Sequence, residues 1–202
     1  MSSRESILKE IADRRLRRAP EPEPYHAPLE TSDPVAMFAE RAAWAQTQVK
    51  ILDRMADVPA AIAELLRAKN LAASVHLPSD AELNALPWGN TLAVKTDPPG
   101  PDDTAVAIAP FAIAETGTLA YAARANSPAS WHFRPGFEIA VLHANSVQPQ
   151  MEDVLARIKQ TMGPIPHTIN FVTGPSRTGD IEQTLELGAH GPKALAVLIV
   201  RG

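Results

Sequence analysis

The chain has 202 residues, 45% of them hydrophobic and 21% charged, with a net charge of −4 and a pI near 5.9. That balance suits one domain with a real core plus a tail, and it gives no reason to expect nucleic acid as a partner. Cysteine is absent, which removes disulfides, a thiol nucleophile and cysteine-ligated iron–sulfur clusters from this chain. No run approaches the ~20 apolar residues of a membrane span, and Met1-Ser2-Ser3-Arg4-Glu5 lacks the apolar core of a signal peptide. A soluble cytoplasmic protein with no membrane insertion is the expectation.

Ser2 and Glu5 have capping-box spacing ahead of Ile7, Leu8 and Ile11, which predicts a helix running into Arg14, Arg15, Arg17 and Arg18. Pro20-Glu21-Pro22-Glu23-Pro24 cannot be helical and reads as an extended spacer. Residues 1–30 are therefore expected as an N-terminal helix and linker, and residues 31–202 as the main domain. Ser32 or Asp33 caps a helix that opens on Pro34 and carries an apolar stripe from Val35 through Val49 and Leu52, with Trp44 off the stripe. A second helix spans about Pro59 to Lys69 and ends at Asn70. A short strand follows at Ala73–Leu77, and Ser79 caps a brief helix through Leu86.

From Thr91 the period changes to that of strands. Thr91–Val94 and Thr104–Ala109 read as buried strands around the loop 97–103, followed by Phe111–Glu115 and Thr118–Ala123, broken at Gly117. Glu138–His143 is another strand and Met151–Gln160 a helix. Ile169–Thr173 then leads through a Gly/Pro turn into an amphipathic helix at Ile181–Leu187, closed by Gly188, and a final buried strand runs from Ala194 to Val200. Helices first and mixed units later argue for a three-layer α/β fold with a mostly parallel sheet.

Three segments carry candidate chemistry. Glu115 stands among apolar neighbours, where a carboxylate is costly unless paired. It could be a general base, with Thr116, Gly117 and Thr118 gripping an anion, or it could simply pair Arg177 or Lys193. Gly174, Ser176, Arg177 and Thr178 sit between a strand end and a helix start, where free N–H groups and the helix dipole favour an anion. Arginine's planar fork suits a carboxylate or phosphate, although Thr178 could serve only as an N-cap and Arg177 only as a surface ion pair. Asp180 and Glu182 in the first turn could repel an anion, or could instead bind a sugar-like hydroxyl or a metal. His190 could transfer protons and Lys193 neutralise a carboxylate, or both could belong to a helix C-cap. His26, His76, His132, His143 and His167 show no metal-ligand spacing, so no metal site is expected. His132 and Glu138 come nearest to a cluster, and the Trp131 region reads as a mobile aromatic loop.

The run Phe111-Ala112-Ile113-Ala114-Glu115-Thr116-Gly117-Thr118-Leu119, with Val172 to Val200, resembles the lactate utilization protein C family, also called LUD-domain or YkgG-type proteins. The resemblance implies a fold related to the ribose-5-phosphate isomerase and CoA-transferase group over residues 31–202. It also implies a soluble component of an L-lactate (2-hydroxy acid) oxidation system yielding pyruvate and binding a small anionic ligand. An iron–sulfur LUD-type protein and a second oxidoreductase subunit would be its partners, with the clusters held by the partner and no cofactor in this chain. Two other readings stay open: a non-catalytic assembly module, or a diverged isomerase or CoA-transferase-like enzyme with Glu115 as base or nucleophile. The chain departs from the family pattern at three positions. Pro110 stands where an aspartate is usual, His132 where a serine is, and Glu138 where a histidine is.

Overall fold

The computed structural model describes residues 3–14, 29, 31–89, 91–123, 128–162, 166–178, 186–187 and 191–202. Helix α1 is Ser3–Arg14, α2 Pro34–Trp44 and α3 Val58–Ala68, with strand β1 at Gln48–Leu52 between the last two. Strand β2 (Ser74–His76), helix α4 (Ala81–Asn84) and strands β3 (Ala93–Lys95), β4 (Thr104–Ala109), β5 (Phe111–Ile113) and β6 (Thr118–Ala122) follow. Then come α5 (Ser130–Phe133), β7 (Phe137–His143), β8 (Val147–Gln148), α6 (Met151–Met162) and β9 (Ile169–Val172). The last strands are β10 (Arg177–Thr178), β11 (Glu186–Leu187) and β12 (Ala194–Val200).

Six strands form one sheet in the order β1-β12-β7-β4-β2-β3, and every neighbouring pair is parallel. Strands covered on both faces read as continuous apolar runs, and β4, β7 and β12 are buried almost throughout. Alternate residues of one strand serve opposite faces. Ile139 and Leu198 join Ile62 and Leu66 of α3 in one core, while Leu142 and Val197 join Phe38 and Ala42 of α2 in the other. A second sheet, in the order β8-β5-β6-β9, is antiparallel except at its β5–β8 pair. Its Leu119 and Tyr121 belong to the α2 core, and its Phe111, Ile113 and Ala120 pack on Val154 and Ile158 of α6. The α/β architecture with a mostly parallel sheet is thus as the pattern implied.

Three expectations need correction. The helix opening at Pro34 does not reach Leu52. Asp33 caps it, its Oδ1 accepting from Ala36 N at 2.9 Å, and it stops at Trp44. Gln46 adopts φ 64, and Gln46 N and Thr47 N donate to Ala43 O and Ala42 O at 2.9 Å each. That paired closure is the Schellman arrangement, and it frees Gln48–Leu52 to join β12 as an edge strand. The helix expected over Ile181–Leu187 fails at its end, because Glu186 and Leu187 pair antiparallel with Thr178 and Arg177; a residue in a ladder cannot also continue a helix, and residues 179–185 lie outside the described set. Trp131 is buried in α5 rather than carried on a mobile loop.

Candidate functional site

The C-terminal turn of α2 is the seat of the site, and two motif glycines hold it. Gly117 has φ 65, and a Cβ there would stand 2.3 Å from Ala42 N; Gly174 has φ 73, and a Cβ there would stand 2.3 Å from Ala45 O. Both positions need glycine for the same two reasons, a left-handed backbone and a helix end packed directly on it. The Glu115–Thr118 and Gly174–Arg177 turns therefore flank one helix end. Their hydroxyls also touch: Thr116 Oγ1 lies 2.7 Å from Thr118 Oγ1, which lies 2.6 Å from Thr173 Oγ1.

Beside this junction opens a cleft of about 540 Å³. Trp44, Ala45 and Gln46 at the end of α2 line it, as do Phe133, the run Phe171–Arg177, and Gly191 with Pro192. Ser176 N donates to Pro192 O at 2.9 Å, which pins the Gly174–Arg177 turn to the entry of β12. Arg177 is exposed, and no carboxylate among the described residues pairs with it. An exposed guanidinium fork in the same cleft as Thr173 can take a carboxylate or a phosphate.

The Gly174–Arg177 turn follows β9, which belongs to the antiparallel sheet, and Gly191-Pro192 leads into the amino end of β12. The site therefore does not occupy the carboxyl ends of the parallel strands, the usual ligand position of such sheets.

The sequence-derived residues divide between several places. Gly174, Ser176 and Arg177 line the cleft; Thr118 reaches it through Thr173, and Thr116 stands one hydroxyl further back. Glu115 does not line it. The backbone N of Glu115 donates to Pro149 O, and its Oε1 accepts from Met151 N, both at 3.1 Å. That satisfies an N–H of the first turn of α6, a capping role that gives a partly exposed carboxylate its partner. Neither Arg177 nor Lys193 pairs with Glu115. Lys193 Nζ lies 3.3 Å from Asp102 Oδ1 in an exposed pair and lines a separate cleft of about 420 Å³ with Lys69 and Phe137. Thr178 contributes backbone to the β10–β11 pair; Asp180 and His190 lie outside the described residues.

A second polar group is fully interior. Glu138 is 0% exposed, and its Oε1 accepts from Tyr121 OH at 2.8 Å and lies 2.9 Å from His132 Nδ1. The Tyr121 and His132 rings stack with centroids 3.8 Å apart. Burial, reinforced by the charge of Glu138, pushes the Tyr121 hydroxyl pKa well above its ordinary value. Glu138 Oε2 has no hydrogen-bond partner among the described residues. His132 and Glu138, the two residues that came nearest to a cluster in the sequence, are thus one contacting pair.

Sequence reasoning passed over Trp44, Phe133, Thr173 and the Gly191-Pro192 entry as parts of the cleft, and Tyr121 as a partner of Glu138. The available signal was Trp44, an indole off the buried stripe of its own helix.

Residues 103–200 match the family model described as the LUD domain. A protein named lactate utilization protein C from Geobacillus thermodenitrificans is 33% identical over 135 residues, covering 64% of this chain and 56% of that one. The protein of the same name from Geobacillus kaustophilus is 36% identical over 98 residues, covering 47% of this chain and 41% of that one. The chain spans about half the length of the curated relatives it matches. In fold it is similar to the crystal structure of a DUF162 family protein from Deinococcus radiodurans, with a TM-score of 0.64 at 20% identity, covering 86% of this chain and 99% of that one. The domain match falls on the stretch that holds both glycine turns and the central strands, and together with these relatives it supports the LUD-domain, lactate utilization protein C family for this chain.

Proposed function

We propose that this protein serves in lactate utilization, in a system that oxidises L-lactate or a related 2-hydroxy acid to pyruvate, and that it holds a small anionic ligand against Arg177. The observation that carries the reading is an exposed guanidinium, with no carboxylate partner among the described residues, on the turn that the family resemblance singles out and in a 540 Å³ cleft. The names of the relatives support the pathway, and the geometry supports the anion. Thr173, Ser176 and the Gly174 turn are the groups that would flank the ligand.

Oxidising a 2-hydroxy acid to a 2-keto acid releases two electrons and two protons, and a chain without cysteine offers no thiolate to hold an iron–sulfur acceptor. The partners proposed, an iron–sulfur LUD-type protein and a second oxidoreductase subunit, are those that the family resemblance implies. Glu115 is not assigned the chemistry, because its carboxylate is already engaged at α6.

Titration calorimetry with lactate, pyruvate and inorganic phosphate tests the anion site. Arg177→Ala should weaken the binding of whichever anion the wild type holds by roughly tenfold or more, the loss of a bidentate charge-assisted pair, with an unchanged melting temperature. Equal binding by wild type and variant for all three anions would sink the reading.

An assembly role is the second reading, and one observation favours it. Ile7, Leu8 and Ile11 of α1 are all exposed, an apolar stripe without a covering partner among the described residues. Co-purification of the iron–sulfur partner should fall when residues 1–24 are removed; undiminished recovery would dismiss the tether.

A further inference from the structure

We infer that the ligand of the Arg177 cleft is a nucleotide, its phosphate held by the guanidinium and its base laid on the aromatic wall. This rests on the anion-binding reading above and narrows it to a ligand class. Three observations lead to it.

The first is size. At a water-like ~30 Å³ for each heavy atom, a three-carbon hydroxy acid takes at most about 180 Å³. The cleft measures about 540 Å³, so lactate or pyruvate alone would leave most of it to solvent. A mononucleotide has roughly four times as many heavy atoms as lactate, at most about 700 Å³ on the same measure, so it would occupy the whole cleft and reach out of its mouth.

The second is the wall. Trp44, Phe133 and Phe171 all line the cleft, yet Trp44 is 85% exposed and Phe171 is 40% exposed. The inward stripe of α2 is already filled by Phe38 and Ala42, so the indole contributes nothing to the core. Large rings left in water at the mouth of a cleft offer flat apolar faces. Every nucleobase has a π-face to stack on such a platform, whatever its sequence of donors and acceptors.

The third is the arrangement of charge. Arg177 is the lining cation, and no acidic side chain lines the cleft among the described residues. One anionic group and one planar ring are what these walls can recognise together. A bare carboxylate uses only the first, and an apolar peptide only the second. The lack of a dinucleotide glycine fingerprint does not bear on this, since the phosphate would be taken by a side chain and not by a strand–helix turn.

The test is tryptophan fluorescence with calorimetry, using AMP, inorganic phosphate, lactate and pyruvate as probes. Trp88 and Trp131 are buried, so ligand quenching reports on Trp44. AMP should quench and bind at least roughly tenfold more tightly than inorganic phosphate. Arg177→Ala and Trp44→Ala should each weaken AMP roughly tenfold, while Trp44→Phe, which keeps a ring, should retain most of the affinity. Both positions are exposed, so melting temperatures should stay level.

If AMP binds no more tightly than inorganic phosphate, or if Trp44→Ala binds AMP as wild type does, the inference is overturned. Where lactate, pyruvate or phosphate still binds in an Arg177-dependent way, the anion site itself survives that failure. If no probe depends on Arg177, both readings fall together. Self-association that Trp44→Ala abolishes, with AMP binding unchanged, would instead give the indole to a second copy of the chain and overturn the nucleotide.

Discussion

Gly117 and Gly174 look from their motifs like the grips of an anion, and packing gives them a different task. Each lies in the left-handed region with α2 backbone 2.3 Å from where a Cβ would be. Rigid helix backbone cannot retreat as a flexible side chain would, so strain and overlap add. Gly117→Ala and Gly174→Ala should each cost about 2–4 kcal/mol of stability, read from urea unfolding midpoints. A loss under about 0.5 kcal/mol at either would mean that α2 does not sit where the structure puts it. Their spacing in the sequence marked both as special backbone, but not against what, because Arg41–Ala45 lies more than seventy residues away from the nearer one.

The helix ends show what local sequence can and cannot signal. Asn70, at φ 53, closes α3 with Leu71 N donating to Leu66 O, and asparagine is a known visitor to that conformation, so the stop is readable. Gln46 closes α2 in the same geometry without that preference. Its apolar register even continues through Val49 and Leu52, and only pairing with β12 turns those residues into a strand. Glu115 belongs to the same lesson. A lone acid in an apolar run suggested a base, while its partner, the Met151 N–H of α6, lies thirty-six residues on. Glu115→Ala should lower stability by about 1 kcal/mol through the lost cap, whereas Glu115→Gln, which keeps an acceptor oxygen, should lose less. Ligand binding should be unaffected in both. A large binding defect in Glu115→Gln at unchanged stability would return that residue to the site.

Between the two sheets, the Glu138 carboxylate is the polar tie. Glu138 belongs to β7 of the parallel sheet and Tyr121 to β6 of the other, and His132 of α5 closes the group. Each of the three buried side chains has a partner within the group, both contacts falling on Glu138 Oε1, which offsets part of the loss of water. The Tyr121 hydroxyl pKa is raised in the folded protein, so between the unfolded value of 10.0 and the folded one the native state keeps a proton that the unfolded chain has lost. This contribution is complete below pH 10 and shrinks as pH rises above it. Urea midpoints taken from about pH 8 to about pH 11 should decline more gently above pH 10 in Tyr121→Phe than in wild type. Parallel declines would remove Tyr121 from the account. The pairing is also invisible in linear order, since the imidazole that meets the carboxylate lies six positions earlier, on a different element.

Composition and periodicity settled the class of fold, since continuous apolar runs of strand length need cover on both faces and helices with one apolar stripe provide it. The same sequence located the two turns that matter, because glycine beside threonine, proline and serine advertises unusual backbone. What had to wait for three dimensions was every relation between distant segments: the helix end on which both glycines close, the partner of Glu115, the Tyr121–Glu138–His132 tie, and the aromatic wall beside Arg177. Side-chain periodicity reports the face a residue turns inward. It carries no information about which other segment will be met there, and that choice is made by the packing of the whole chain.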